Sequence, residues 1–159
     1  MREIDYKTYK KPSDYAKFEQ GDNIIRVISK GYLGLQHGLR GTRGWVNLGL
    51  CTEDDTCEHC KKGNQAKRFW KWVVVDRKEN EVKLLDAGIM IGDAICQMSN
   101  PEKDGDPTKY DIVINRVGEK LKTQYTVKRS RADIPITKAD ISRWQGMKRY
   151  IVNKYLGEK

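Results

Sequence analysis

The 159-residue chain has no long hydrophobic run. Its longest stretch of large apolar side chains is Trp72-Val73-Val74-Val75, far short of the about 20 residues that a membrane span requires. The opening Met1-Arg2-Glu3-Ile4-Asp5 is charged and lacks the apolar stretch of a secretory signal, so a cytoplasmic protein is expected. Cysteine is scarce, with four residues. In a reducing compartment such cysteines serve as metal ligands or core residues more often than as disulfides. Hydrophobic residues make up only 38% and charged residues 33%, a balance that fits one soluble domain and no membrane partner.

What is abundant is positive charge, +9 in all. Its distribution is uneven. Residues 51–60 carry four acids and no base, whereas residues 61–72 carry five bases and no acid. Clustered bases at a pI near 9.4 point to a polyanionic partner.

Turn residues and β-branched runs divide the chain. Residues 1–20 read as a basic arm with Tyr6, Tyr9 and Tyr15 among lysines. Asn23–Ser29, Phe69–Arg77, Val82–Ala87, Tyr110–Arg116 and Gln124–Arg129 read as strands, the last four as two hairpins. The six glycines between 31 and 50 suggest loops or irregular strands. Ile89–Met98 reads as a short helix. Thr137-Lys138-Ala139-Asp140 resembles a capping box, with Asp in place of the usual Glu or Gln. It opens a helix with apolar Ile141, Trp144, Met147, Ile151 and Tyr155 at near-helical spacing. The expected fold is mainly β, a five-stranded OB-type barrel over 21–136, with an inserted metal subdomain near 37–64 and a C-terminal helix over 137–159.

The sharpest motif is Cys51-x5-Cys57-x2-Cys60. The Cys-x-x-Cys knuckle turns two thiolates toward one ion, and tetrahedral zinc needs four N/S ligands. Cys51 supplies the third. His37, His59 and Cys96 are the candidates for the fourth. His37 is favoured, because His59 is cramped inside the knuckle and Cys96 sits in the expected helix. A redox Cys-x-x-Cys would need a βαβ setting, which this chain lacks. A zinc deaminase would need His-x-Glu upstream and Pro before the first cysteine of the pair; His37-Gly38-Leu39 and Thr56 do not match. Four protein ligands leave no open position, so a structural zinc is expected. No carboxylate cluster or activated nucleophile points to an enzyme or to a small-molecule substrate.

Beyond the knuckle, Lys67, Arg68, Trp70, Lys71 and Trp72 interleave bases with aromatics, the chemistry that grips single strands. On a strand, Trp70, Trp72 and Val74 share one face, and Phe69, Lys71, Val73 and Val75 share the other. Either face could be core. Tyr32, Tyr110 and Tyr125 are further stacking candidates. Arg26, placed in an apolar strand, is expected to point into a groove. Arg116, Lys122, Lys128 and Arg129 decorate the second hairpin.

This combination resembles the zinc-containing single-stranded-DNA-binding (helix-destabilising) proteins of large tailed bacteriophages. The order His37, Cys51, Cys57, Cys60 matches the ligand order of that family, although the gap between the first two cysteines is shorter than usual. Asn23–Val27, Val74–Arg77 with Glu81-Val82, and Gly105–Ile112 leading to Thr123–Val127 echo its strands. The resemblance implies an OB-fold that coats single-stranded DNA in replication, recombination or repair, inside an infected bacterial cell, with replication proteins as further partners. The family's acidic tail, which recruits those partners, has no match in Tyr155–Lys159. The competing reading is a zinc-ribbon module that acts on duplex DNA, RNA or a polymerase.

Overall fold

The computed structural model describes residues 1–157. Seven strands form one antiparallel sheet: β1 (Gly21–Val27), β2 (Tyr32–Gly41), β3 (Gly44–Leu50), β4 (Lys67–Asp76), β5 (Glu81–Ala87), β6 (Asp111–Val117) and β7 (Gln124–Arg129). Three helices accompany them: α1 (Glu58–Lys61), α2 (Ile89–Met98) and α3 (Lys138–Tyr155). The sheet runs β3-β2-β4-β1-β6-β7, and β5 pairs with the other edge of β4. No helix among the described residues is long and apolar enough to cross a membrane.

The five expected strands are β1 and β4 to β7. The glycine-rich segment adds two more, the β2–β3 hairpin, which pairs from Gln36–Leu50 to Gly41–Gly44. Both β1 and β2 lie along one edge of β4, at Val74–Asp76 and Lys67–Lys71 respectively. Between them the ladder continues through a side chain. Ser29 Oγ accepts the Val73 N–H at 2.8 Å, and the Ile28 N–H donates to the Val73 carbonyl at 2.9 Å.

β4 explains why the sequence shows no alternation between Trp70 and Val75. The strand is buried on both faces, so neither parity of side chain is polar. Trp70, Trp72 and Val74 join Ile25, Ile112, Ile114 and the α2 residues Ile91, Ile95 and Met98 in the main core. Val73 and Val75 pack with Val82, Leu84 and the α3 residues Trp144 and Ile151 in a second core. Helix α3 therefore lies over the outer face of β4 and β5.

The expected capping box is present at Thr137 and Asp140. Asn80, at the β4–β5 turn, accepts the Trp144 indole N–H at 3.0 Å and donates to Asp140 at 3.0 Å. The last two residues of the expected 137–159 helix lie outside the described residues. The N-terminal segment is not wholly an arm. Tyr15 bridges Leu84 in parallel, Phe18 packs on the main core, and Asp14 accepts hydrogen bonds from Lys154 and Tyr155 at 3.1 and 2.6 Å.

Candidate metal centre and nucleic-acid interface

The β2–β3 hairpin and the α1 knuckle build the metal centre. Along β2 the side chains alternate, so Leu33, Leu35 and His37 share one face, while Tyr32, Gly34, Gln36 and Gly38 share the other. His37 is fully buried and Cys57 nearly so, Cys51 is half-buried, and Cys60 is exposed. The Cys51 N–H donates to the Leu35 carbonyl at 2.9 Å, which fixes Cys51 beside β2. The ligand atoms of His37, Cys51, Cys57 and Cys60 all lie within 4.8 Å of one another. Cys51 Sγ is 3.7 Å from Cys57 Sγ and 3.6 Å from Cys60 Sγ. His37 Nε2 is 3.3 Å from Cys57 Sγ and 3.5 Å from Cys60 Sγ. Tetrahedral zinc with Zn–S bonds of about 2.3 Å has S–S edges of about 3.8 Å and slightly shorter N–S edges. The four residues can hold a metal ion, and donor set and spacing fit zinc.

The electrostatics agree with a cation there. Hydrogen bonds from the backbone N–H groups of Cys60 and Thr52 lower the Cys57 thiol to about 5. The adjacent Cys51 and Cys57 sulfurs push the Cys60 thiol up to about 12. Three packed sulfurs cannot all ionise against one another, and a divalent cation removes that conflict. His37, favoured from the sequence, is the residue that stands with the three cysteines in the group that could hold an ion. The His59 ring lies 5.2 Å from the His37 ring but outside the donor group, and Cys96 stands exposed on α2.

The proposed nucleic-acid contacts divide sharply. Trp70 and Trp72 are each only 4% exposed and belong to the core, because β4 is covered on both sides. Tyr110 is equally buried; its hydroxyl donates to the Gly105 carbonyl at 3.0 Å, and Arg129 lies over its ring at 4.7 Å. Tyr125 sits half-buried with its ring edge-on to Phe18 at 6.2 Å. Arg26 lines a pocket with Ile136, Ile141 and Trp144, with its guanidinium engaged by an acid. Its Nε contacts Asp111 Oδ1 at 2.8 Å, and Arg77 Nε lies 3.4 Å from Oδ2 of the same buried carboxylate. Arg116 donates to the Phe18 carbonyl at 2.8 Å. Lys122, Lys128 and Arg129 are exposed, but they lie on or beside β7, at the opposite end of the sheet from β2 and β3.

A different group of aromatics faces solvent. Trp45, on β3, is 46% exposed, and Lys67 Nζ lies 4.6 Å over its ring. Lys71 Nζ lies 5.3 Å over Phe69, and Lys30 Nζ lies 5.6 Å over Tyr32. All three rings are on the face of β2 opposite His37. Two rest on glycine: a Cβ on Gly38 would lie 2.0 Å from the Trp45 ring, and one on Gly34 would lie 2.4 Å from the Phe69 ring. Exposed Arg40 has the same parity on β2 and joins the face. Arg68, of opposite parity, lies over Trp70 at 5.7 Å. Of the expected contacts, Lys67, Lys71 and Tyr32 thus come together. Trp45 and Phe69 join them unforeseen. Their signal was a glycine every fourth residue in a strand, which marks a seat for a close neighbour.

No family model, curated protein or solved structure matches this chain.

Proposed function

We propose that this chain binds single-stranded DNA, largely independently of sequence, as a zinc-stabilised protein with an OB-type barrel. The observation that carries this reading is the row of three aromatic rings, each with a lysine above it, on one face of β2. Aromatic faces accept unpaired bases of any identity, and lysines neutralise phosphates. A base that stacks on a ring displaces the lysine above it, which then reaches a phosphate. The ring seats at positions 34 and 38 are four residues apart, about 13 Å along a strand. That spacing suits an extended strand rather than the 3.4 Å steps of a stacked duplex.

The topology supports the barrel reading. With β1 and β2 taken as one bent first strand and β3 set aside with α1 as part of the inserted metal subdomain, the order is strand, strand, strand, helix, strand, strand, as in an OB-fold. Helix α2 packs on both β4 and β7 and fills the opening between the two hairpins. Zinc would be structural, held by His37, Cys51, Cys57 and Cys60, and would pin the base of the β2–β3 hairpin that carries Trp45. Four protein ligands would fill a tetrahedral zinc, which fits a structural rather than a catalytic ion. Coating of single strands during phage-type replication, recombination or repair is the setting that the resemblance suggests.

The test is a titration of labelled oligo-dT, oligo-rU and duplex DNA at two salt concentrations, followed by anisotropy. Tight, salt-sensitive binding of oligo-dT with weak duplex binding is expected. Equal or tighter binding of duplex would overturn the reading and favour a zinc-ribbon module.

A further inference from the structure

At the start of β2, next to the Tyr32 end of the aromatic row, the structure contains a groove of about 580 Å³. It opens between the start of β2, helix α2 and the Asp106–Thr108 turn. Its floor is formed by Trp70 and Trp72, its walls by Tyr32 and Leu33 on one side and Cys96 on the other, with Asp106 on the rim. The indoles themselves are nearly buried, so the groove is shallow over them and its apolar walls carry most of the contact.

We propose that this groove takes a single unpaired nucleobase turned out of the strand that lies on the Trp45–Phe69–Tyr32 face. The inference rests on the single-strand reading above and adds a second subsite to it. Three features select this occupant. Tyr32 belongs to both the aromatic row and the groove wall, so a strand leaving the row arrives at the mouth. Lys30 also lines the groove, and a cation at the entrance suits the phosphate of the nucleotide whose base enters. Asp106 holds its carboxyl below the ordinary carboxylate range through the Thr108 N–H and hydroxyl, so it stays ionised. An anionic rim repels a phosphate, so the planar base enters and the backbone remains outside. The volume accommodates one base with its sugar, and the mostly apolar lining replaces part of the apolar contact that a base loses on unstacking.

Cys96 makes the groove testable in the wild-type protein. It is the one cysteine outside the metal group, it is exposed, and it lines the groove. In zinc-loaded protein, N-ethylmaleimide should modify Cys96 at a rate read by peptide mass spectrometry. The rate is measured alone, with oligo-dT, and with a strand of equal length whose residues are abasic. At a strand concentration about ten times Kd, an occupied groove leaves about one-tenth of the molecules open, so alkylation should slow about tenfold with oligo-dT. The abasic strand, at matched saturation, should leave the rate unchanged. If oligo-dT is bound by anisotropy but Cys96 reacts at the same rate, the groove is not a base site, while the single-strand reading stands. Equal protection by the abasic strand would place the backbone in the groove and overturn the inference. Failure of any strand to bind would overturn both readings.

Discussion

His37 Nδ1 lies 2.7 Å from Asn64 Oδ1. A carboxamide oxygen can only accept, so this contact places the imidazole proton on Nδ1 and leaves the Nε2 lone pair facing the sulfurs. Asn64 is itself anchored, since its amide donates to the Gly38 carbonyl at 3.0 Å. Partners of this kind orient a metal-ligating histidine, and their loss typically costs 10–100-fold in metal affinity. Asn64→Leu is therefore expected to weaken zinc about 10–100-fold in a chelator competition while keeping one site per chain. Cys57→Ser should abolish stoichiometric zinc, and Cys96→Ser should not. Unchanged competition by Asn64→Leu would show that the contact does not orient the ring.

The tryptophans should separate cleanly. Trp70 is core, so Trp70→Ala is expected to cost about 3–5 kcal/mol of stability and to lower Tm. Trp45 stands on the surface, so Trp45→Ala should leave Tm nearly unchanged. It should weaken oligo-dT binding by about 1–3 kcal/mol, the usual cost of losing one base–aromatic stack. Calorimetry and anisotropy on the same two variants decide this. A Trp45→Ala protein that binds like wild type would remove the aromatic row from the interface.

Salt dependence reports the lysines separately from the rings. Each phosphate neutralised on a single strand adds about −0.7 to the log–log slope of affinity against salt. Three engaged lysines would give about −2. Lys67→Ala should make the slope shallower by about 0.7, whereas Trp45→Ala should not move it. A slope unchanged by Lys67→Ala would mean that Lys67 stays on the Trp45 ring when the strand is bound.

The candidate metal site was legible because zinc chemistry is restrictive: four N/S donors are needed, and few residues of this chain qualify. His37, fourteen positions before Cys51, was reachable by elimination. The aromatic face was not. Period-two reasoning asks which face of a strand is core, and β4 has two cores, one under α2 and one under α3. Trp70 and Trp72 therefore satisfied a surface pattern while being interior. Trp45 was hidden for the opposite reason. It lies in a glycine-rich segment that local propensity assigns to loops, yet those glycines admit the rings. Arg26 was expected to face a groove, and it does line a pocket; its partner Asp111, 85 positions away, was what stayed hidden. No local pattern shows such a pair.

Acid should loosen α3 before the main core. The backbone N–H of Thr137, then Asn80 and the Thr137 hydroxyl, lower Asp140 to about 2, from an ordinary value of 3.8. A carboxyl depressed in the folded state stabilises it at pH values above the ordinary value, and that contribution fades as pH falls through the folded value. The Asp140 contribution should be intact above about pH 4 and lost toward about pH 2. In Asp140→Asn this window should flatten in a Tm-against-pH series, with the near-ultraviolet signal of Trp144 as a local reporter. Parallel pH profiles for the variant and wild type would show that the cap does not govern α3 docking.

The most discriminating variant removes no functional group. Gly38 lies directly beneath Trp45, and a Cβ there would sit 2.0 Å from Cζ2 and 2.3 Å from Cε2 of the indole. Real atoms do not approach that closely, so in Gly38→Ala the ring must lift or swing away. Lys67, which rests on the far face of the same ring at 4.6 Å, must move with it. Gly38 is in a strand without a positive φ, so alanine suits its backbone. The expected result is an oligo-dT affinity reduced toward that of Trp45→Ala, with the indole still present. Zinc stoichiometry should be retained, and the salt slope should stay near the wild-type value. A shift in Trp45 fluorescence in the unliganded protein should accompany the loss. If Gly38→Ala binds as wild type although the emission shift shows the ring has moved, a flat Trp45 ring is not what the strand stacks on.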